Sequence, residues 1–504
     1  MNNKKPLPKS AFFELMKHDK ISLTFDDVSL KTGYSETLPK DISTNSKFSK
    51  NISLNIPIIS AAMDTVTEYP LAIEMAKLGG IGVIHKNLTP EEQSYHVSRV
   101  KFYLNGLIDK PKFVYEDQTI SSVLKRREEK NYEFRTFPVL NRNGKLTGIL
   151  TGNDFDFCDD YSRLVKEVMT KNVITLPQDA DLNKAYTLMV KEKKKALPLV
   201  DKQQRLIALY TLKDLKRIKN KESDLYNLDE NGQLRVAAAM GVGKKALLRL
   251  EKLVKENLDV VVIDTAHADS KKVYETINEI KNSYRLDVVA GNISEPDSAL
   301  RLIKAGVDGI KVGQGPGSIC TTRVVAGIGA PQLTAIYECS KIADEFNIPV
   351  CADGGIKFSG DIAKAIGAGA HSVMIGNMLA GTKESPGEIV FLNGRNWKDY
   401  RGMGSSGAMK FEGARERYNQ ISKDKLVPEG IEGLVPYKGK LKDIMFQYVG
   451  GLKSGMGYVG AKDIKEMREK ADFRRLTQSG KIESHPHDVY ITKESPNYSL
   501  KHDV

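Results

Sequence analysis

Eight short apolar runs, rich in β-branched residues, recur along this chain and constrain its fold more than any other feature. They begin near Ile56, Gly80, Leu234, Asp259, Leu286, Gly309, Ile348 and His371. Most are followed by a stretch with helical periodicity, as at 71–78, 244–258, 271–284, 297–305, 331–346 and 360–367. Repeated strand–helix units imply an α/β fold with parallel strands and right-handed crossovers. Eight such units predict a sheet closed into a (β/α)8 TIM barrel. A doubly wound open sheet is the alternative, but the first strand is not followed by a Gly-x-Gly-x-x-Gly fingerprint.

Residues 110–220 interrupt this rhythm with an internal repeat. Phe137-Pro-Val-Leu140 is echoed by Leu197-Pro-Leu-Val200, and Gly148-Ile-Leu-Thr-Gly-Asn-Asp154 by Ala208-Leu-Tyr-Thr-Leu-Lys-Asp214. Two copies of one unit, at about 110–165 and 166–220, predict a separate domain inserted after the second barrel strand. The catalytic barrel is then 1–109 plus 221–504. The repeat resembles a pair of CBS modules, in which such Thr and Asp residues contact the ribose of a purine nucleotide. That resemblance nominates Thr151, Asp154, Thr211 and Asp214. The threonines also suit helix caps, and one residue can serve both ends. A second interruption, about 381–460, is rich in glycine, proline and charge. It reads as a flap ahead of a closing helix at 462–475.

The loop Lys311-Val-Gly-Gln-Gly-Pro-Gly-Ser-Ile-Cys-Thr-Thr322 carries the most pointed chemistry. Glycines let a backbone turn tightly and present its N–H and C=O groups to a ligand. A thiol in such a strand-end loop is placed to act as a nucleophile, whereas a lone cysteine elsewhere is usually a small buried hydrophobe. In a barrel, phosphate is often held by the loops after strands seven and eight. Here those loops are Ala352-Asp-Gly-Gly-Ile356 and Met374-Ile-Gly-Asn-Met378. A phosphorylated sugar beside Cys320 is the ligand these loops suit.

The remaining composition excludes several classes. Net charge is +12, but the lysines are interspersed with acids and carry few interleaved aromatics, which argues against direct nucleic-acid binding. No apolar run is long enough to span a bilayer, and the N-terminus has no apolar signal core. The four cysteines, 158, 320, 339 and 351, form no Cys-x-x-Cys pair, which fits the cytoplasm and neither a zinc site nor a disulfide framework.

Several ordered motifs together resemble the IMP dehydrogenase family. They are Ser22-Leu-Thr-Phe-Asp-Asp-Val-Ser-Leu-Lys-Thr-Gly-Tyr-Ser35, Pro57-Ile-Ile-Ser-Ala-Ala-Met-Asp-Thr-Val-Thr-Glu68, the Cys320 loop and Tyr400-Arg-Gly-Met-Gly-Ser405. Arg417-Tyr418, Val427-Pro-Glu-Gly-Ile-Glu-Gly433, Gly450-Gly-Leu-Lys-Ser-Gly-Met-Gly-Tyr458 and Glu483-Ser-His-Pro-His-Asp488 continue the series. The resemblance implies NAD-dependent oxidation of IMP to XMP, the committed step toward guanine nucleotides. Cys320 would attack purine C2, and Thr322, Arg417 and Tyr418 would serve the hydrolysis that follows. Substrate contacts would come from Ser60, Met63, Ser318, Asp353, Gly354, Gly355, Gly376, Asn377, Tyr400, Arg401, Gly402, Met403, Gly404 and Glu429. Asp264, Asn292, Gly313, Gln314 and Gly315 would lie on the cofactor side.

The family's potassium ion would be held by carbonyls of Gly313, Gly315 and Cys320, with Glu483, Ser484 and His485 supplied by a neighbouring subunit of a homotetramer or octamer. ATP or GTP would bind the CBS pair. Ala268-Asp269, Ser406 and Gly413-Ala-Arg-Glu416 depart from common family patterns, on the cofactor side and in the flap. Two other functions compete: an NADPH-dependent GMP reductase, and a CBS nucleotide sensor without catalysis. The Arg417-Tyr418 pair favours the dehydrogenase over the first, and the intact Cys320 loop disfavours the second.

Overall fold

The computed structural model describes residues 7–498 except 105, 106, 110, 130, 131, 133, 178, 179, 220–224 and 421–424. The chain divides into two compact units, Met1–Lys101 with Leu225–Val504, and Phe102–Asp224. In the first unit eight parallel strands close into a barrel. They are β1 (Ile58–Ser60), β2 (Ile81–Ile84), β3 (Ala237–Met240), β4 (Val260–Asp264), β5 (Asp287–Ile293), β6 (Gly309–Val312), β7 (Val350–Asp353) and β8 (Ser372–Ile375). Each lies within one of the apolar runs picked out in the sequence. The barrel closes where β8 pairs with β1, Val373 opposite Ile58. The sheet continues across the inserted unit, with β2 pairing β3, Val83 opposite Ala237.

Alternate residues of each strand point inward. Ile81 and Val83, Ala237 and Ala239, Val260 and Val262 meet Val289, Cys351 and Met374 in one interior core. Outside run α1 (Tyr69–Lys77), α2 (Pro90–Lys101), α3 (Lys244–Lys255), α4 (Lys271–Ser283), α5 (Pro296–Lys304), α6 (Gln332–Glu345) and α7 (Ser359–Ala368). Because the strands are parallel, their C-terminal residues Ser60, Asp264, Val312, Asp353 and Ile375 all emerge at one mouth, where barrel sites form.

The 381–460 segment is not one loop. It holds an antiparallel sheet of Ile389–Leu392, Arg395–Arg401 and Glu432–Pro436, a short helix α8 (Glu412–Arg417), and a helix of 19 residues, α9 (Leu441–Val459). The glycine-rich motif at 450–458 is therefore helical. Two of its glycines serve close packing: a Cβ on Gly451 would lie 2.2 Å from Ser359 Oγ, and one on Gly455 3.0 Å from Ala363 Cβ, both on α7. The expected closing helix at 462–475 is also shorter, Ile464–Lys470. Phe473–Arg475 instead forms a strand paired with Val28–Leu30, which buries Phe473.

In the second unit the repeat is visible in the backbone. Phe137–Leu140 pairs antiparallel with Leu146–Leu150, and Ala196–Val200 with Leu206–Thr211. The register shifts at the same place in both, between Val139 and Leu140 and between Leu199 and Val200. Each copy has its own core, one around Val139, Leu150 and Phe155, the other around Leu199, Ala208 and Leu215. Among the described residues no helix is long and apolar enough to cross a membrane.

Gly82, on β2, is set by close approach. A Cβ there would stand 2.6 Å from Ala72 Cα on α1 and 3.3 Å from the Ser60 hydroxyl. Gly82→Ala should therefore destabilise the barrel by about 1–3 kcal/mol, the usual cost of overpacking. Urea unfolding measures this, and an unchanged midpoint would show that α1 moves aside freely.

Candidate active site

A buried cation organises the barrel mouth. Lys311 lies within β6, and its Nζ is 3.1 Å from Asp264 Oδ1 and 2.7 Å from Asp353 Oδ2, and also meets Asn292 Oδ1. Asn292 in turn donates to Asp353 at 2.9 Å and to the Gly313 carbonyl at 2.6 Å. Burial lowers the pKa of Lys311, but the Asp353 and Asp264 carboxylates outweigh it and raise its pKa. For Asp264 burial pushes upward, yet Arg417, Lys311 and Lys86 hold the carboxyl well below its usual range. The side chain of Asn292 and the Oδ2 of Asp353 are thus engaged within the protein. Their part is to tie β5, β6 and β7 together beneath the site.

Above Lys311 the Gly-rich loop turns through conformations reserved for glycine. Gly313 has φ +148° and Gly315 φ +77°. A Cβ on Gly313 would lie 2.0 Å from the Asp353 carbonyl, and one on Gly315 2.5 Å from Arg323 Cγ. Gln314 is anchored by Ser294 at 2.7 Å and donates to the Ala266 carbonyl at 3.1 Å. The loop then presents Cys320, partly exposed, while Cys158, Cys339 and Cys351 are buried. Burial pushes the Cys351 thiol up to about 12 and raises that of Cys339 as well, so neither readily forms a thiolate. The Cys320 thiol donates to Thr322 Oγ1 at 3.2 Å. Backbone bonds at 3.0 Å from Thr321 N–H to the Glu429 carbonyl, and from Ile431 N–H to the Ile319 carbonyl, clamp the loop.

Around the thiol the structure gathers most of the residues expected to bind substrate. Ser318 is hydrogen-bonded to Tyr400, whose hydroxyl burial pushes up to about 12. The Tyr400 hydroxyl is 4.0 Å from the Met63 sulfur, and a Cβ on Gly376 would lie 3.0 Å from both. Ser60 accepts a bond of 2.8 Å from Thr67. Gly354 and Gly355 have positive φ, and a Cβ on Gly354 would lie 2.9 Å from Pro316 Cγ. Asn377 opens the short helix that follows Gly376. The Gly402 N–H donates to the Ile431 carbonyl, the Gly404 carbonyl accepts from the Glu429 N–H, and Met403 is buried with Met409 and Ala414. Arg401 forks onto Asp64 at 2.8 and 3.1 Å, so its guanidinium braces the first barrel loop.

The flap helix α8 is docked in this mouth. The Arg417 guanidinium pairs with Asp264, and its carbonyl accepts from Ala266 N–H at 3.0 Å. Burial would lower the Arg417 pKa, but Asp264 outweighs it and keeps the side chain protonated. Tyr418 packs over Gly404, where a Cβ would approach its ring to 2.7 Å. Burial pushes the Tyr418 hydroxyl up to about 12 against the pull of Arg417.

Other expected residues lie elsewhere. Glu483 ends the helix Gln478–Glu483, and Ser484 bonds back to Gly480. The His485 ring lies against Phe358 and Tyr498. In the second unit Thr151 donates to Asp154 at 2.6 Å from its N–H and 2.8 Å from its hydroxyl, a helix-capping pair. Thr211 ends its strand, and the Asp214 side chain lies outside the described residues. Asp269, a departure from the family pattern, is fully engaged by Tyr274, Ser298 and Arg301. Lys311 and Lys86 had no role assigned from sequence, and Glu416 stood out only within a flap segment that departs from the family pattern. Lysines at the ends of apolar runs, Lys311 inside Gly309–Val312 and Lys86 just after Ile81–Ile84, were the available signal.

Comparison with known proteins agrees with this geometry. Residues 22–487 match the family model described as the IMP dehydrogenase / GMP reductase domain. The chain belongs to that family. It is similar to the inosine-5'-monophosphate dehydrogenase of Aquifex aeolicus, 51% identical over 489 residues that cover 96% of this chain and 99% of that protein. The corresponding Bacillus subtilis enzyme is 48% identical over 491 residues, again covering 96% and 99%. Among solved structures, an alanine variant of the GMP reductase of Trypanosoma brucei in complex with guanosine 5'-monophosphate superposes with TM-score 0.81 at 38% identity, covering 94% of this chain and all of that one. The family's two named activities are both redox reactions on a purine nucleotide.

Lys311→Met would remove the cation that Asp264 and Asp353 share. Removing one partner from a buried charge group typically costs about 3–5 kcal/mol. Urea unfolding should report a loss of that size, and an unchanged midpoint would show that the two carboxylates find other partners.

Proposed function

We propose that the chain oxidises IMP to XMP with NAD as hydride acceptor. The observation that carries this reading is the partly exposed Cys320, with Ser318, Tyr400, Met63 and Gly376 on one side and Arg417–Tyr418 near it on the other. In this scheme the Cys320 thiolate adds to purine C2, which becomes tetrahedral and able to lose hydride. NAD supplies the acceptor for that hydride. Hydride departure leaves a thioimidate between Cys320 and the purine. Water adds at C2, the C–S bond breaks, the thiolate is restored and XMP leaves.

The residues present suit the bound groups. Glycine amides at Gly354, Gly355 and Gly376 suit a phosphate. Asp264, at the end of β4, would meet the cofactor side when Arg417 is withdrawn. Arg417 and Tyr418 would then return for the hydrolytic step, so one pocket serves two steps in turn. A guanidinium facing Asp264 is a reluctant proton acceptor, and Tyr418 beside it is the neighbour able to share that task. The carbonyls of Gly313, Gly315 and Cys320 come from a loop whose turns leave no room for a Cβ at either glycine, and such hard oxygen donors suit K+. Glu483, Ser484 and His485 of an adjoining subunit would complete that site in a homotetramer. The repeat at 110–220 would bind ATP or GTP at Thr151, Asp154, Thr211 and Asp214 and adjust activity or octamer assembly.

The likeness in fold to a GMP reductase supports a second reading, NADPH-dependent deamination of GMP. Identity of 48–51% to dehydrogenases against 38% to that reductase, together with the docked Arg417–Tyr418, weighs for IMP oxidation. Assays of NADH formed from IMP and of NADPH consumed with GMP separate the two.

Cys320→Ser should abolish turnover with the fold intact, whereas Cys339→Ser should retain activity. Arg417→Ala should give a burst of NADH and then stall as covalent enzyme, since losing a proton-transfer group typically costs on the order of 10²–10⁴-fold. If the burst also vanishes, Arg417 acts before hydrolysis. Calorimetry should detect ATP or GTP binding to the full chain, weakened by Asp154→Ala, and the absence of any heat would reduce the insertion to a structural role.

A further inference from the structure

Arg417 does not dock alone. Its neighbour Glu416 reaches the adjacent strand end, where its Oε1 accepts the Val242 N–H at 3.1 Å and its Oε2 lies 3.8 Å from Lys86 Nζ. Lys86 is buried and also donates to the Asp264 carbonyl at 2.9 Å. Burial and Arg417 both disfavour its charge, while Glu416 and Asp264 support it. The seat for Glu416 is Gly241, the residue after β3, where a Cβ would lie 2.0 Å from the carboxylate. Gly413 completes the fit, since a Cβ there would approach the Lys86 carbonyl to 2.5 Å.

Consecutive flap residues of opposite charge thus meet Lys86 just past β2, the Val242 amide just past β3, and Asp264 at the end of β4. Without the flap, Asp264 and Asp353 face Lys86 and Lys311, with Arg249 beside Lys86, so positive charge is already in excess there. Arg417 alone would add an unbalanced positive charge beside two buried lysines. Arriving with Glu416, it adds nothing net. We propose that Glu416 is a positioning residue for the hydrolytic step, a charge-balancing latch that seats on Gly241 and Lys86 and so sets the register in which Arg417 lands on Asp264. This rests on the reading of Arg417 as a hydrolytic group, but the latch itself is measurable without turnover.

The test uses the full chain with Glu416→Gln, which removes charge at constant shape, Glu416→Asp, which restores charge, and Gly241→Ala, which fills the seat. Hydrogen exchange reads the latch directly through the Val242 amide, which donates to Glu416, and the Ala266 amide, which donates to the Arg417 carbonyl. In Glu416→Gln both should exchange about tenfold faster, the scale of losing one hydrogen bond to a charged group. Gly241→Ala should do the same and Glu416→Asp largely recover protection. With IMP and NAD, Glu416→Gln should keep the NADH burst and slow steady-state turnover by a similar factor. Unchanged exchange in Glu416→Gln, equal loss in the Gln and Asp variants, or a steady-state rate equal to the parent overturns the latch. Faster exchange in a protein that makes no NADH from IMP would instead overturn the proposed reaction and leave the latch standing.

Discussion

Lys311 is the interaction on which the mouth of this barrel depends. An ammonium inside a strand is costly to bury unless its charge is met on several sides. Here Asp264, Asp353 and Asn292 meet it from three neighbouring strands. The same contacts hold both carboxylates in place, and they leave Asp264 with a second face for Arg417. The chemistry above the barrel therefore stands on a charge array built from the strands themselves.

That array explains why the flap is a reader of the barrel and not just a cover. Arg417 and Glu416 are adjacent in sequence, yet they address strand ends of opposite character. A helix of six residues has little packing surface of its own, so its register must come from such polar contacts and from the close approach allowed at Gly413 and Gly241. The arrangement also limits Arg417 as a base, because the carboxylate that orients it also holds its proton. Orientation and proton transfer pull against each other there, and Tyr418 is the adjacent group that can relieve the conflict.

The Cys320 loop illustrates a second constraint. Its glycines are dictated by collisions, with the Asp353 carbonyl behind Gly313 and Arg323 beside Gly315. They bring the backbone close to β7, and the segment around Glu429 clamps the far side of the loop. A thiol held between two such supports needs no side-chain partner beyond Thr322 to stay in place. Cys339 and Cys351 show the contrast, since burial disfavours the charged form that reactivity needs.

The sequence by itself determined the barrel, because eight apolar runs alternating with helical periods admit few other closed sheets, and each run became a strand. It also marked Cys320, since a thiol in a glycine-rich strand-end loop is a local pattern, and the ordered motifs named the family. Glycine content misled at 450–458, where four glycines sit in a helix and two of them, Gly451 and Gly455, face α7 too closely for side chains. The expected closing helix also stopped short, since past Ala471 Phe473 pairs as a strand with the distant Val28–Leu30. Only the tertiary structure decided the roles of Lys311, Lys86 and Glu416. A charged residue states its sign in the sequence, but not which opposite charge it will face, and those partners lie up to hundreds of positions away and meet only when the barrel closes.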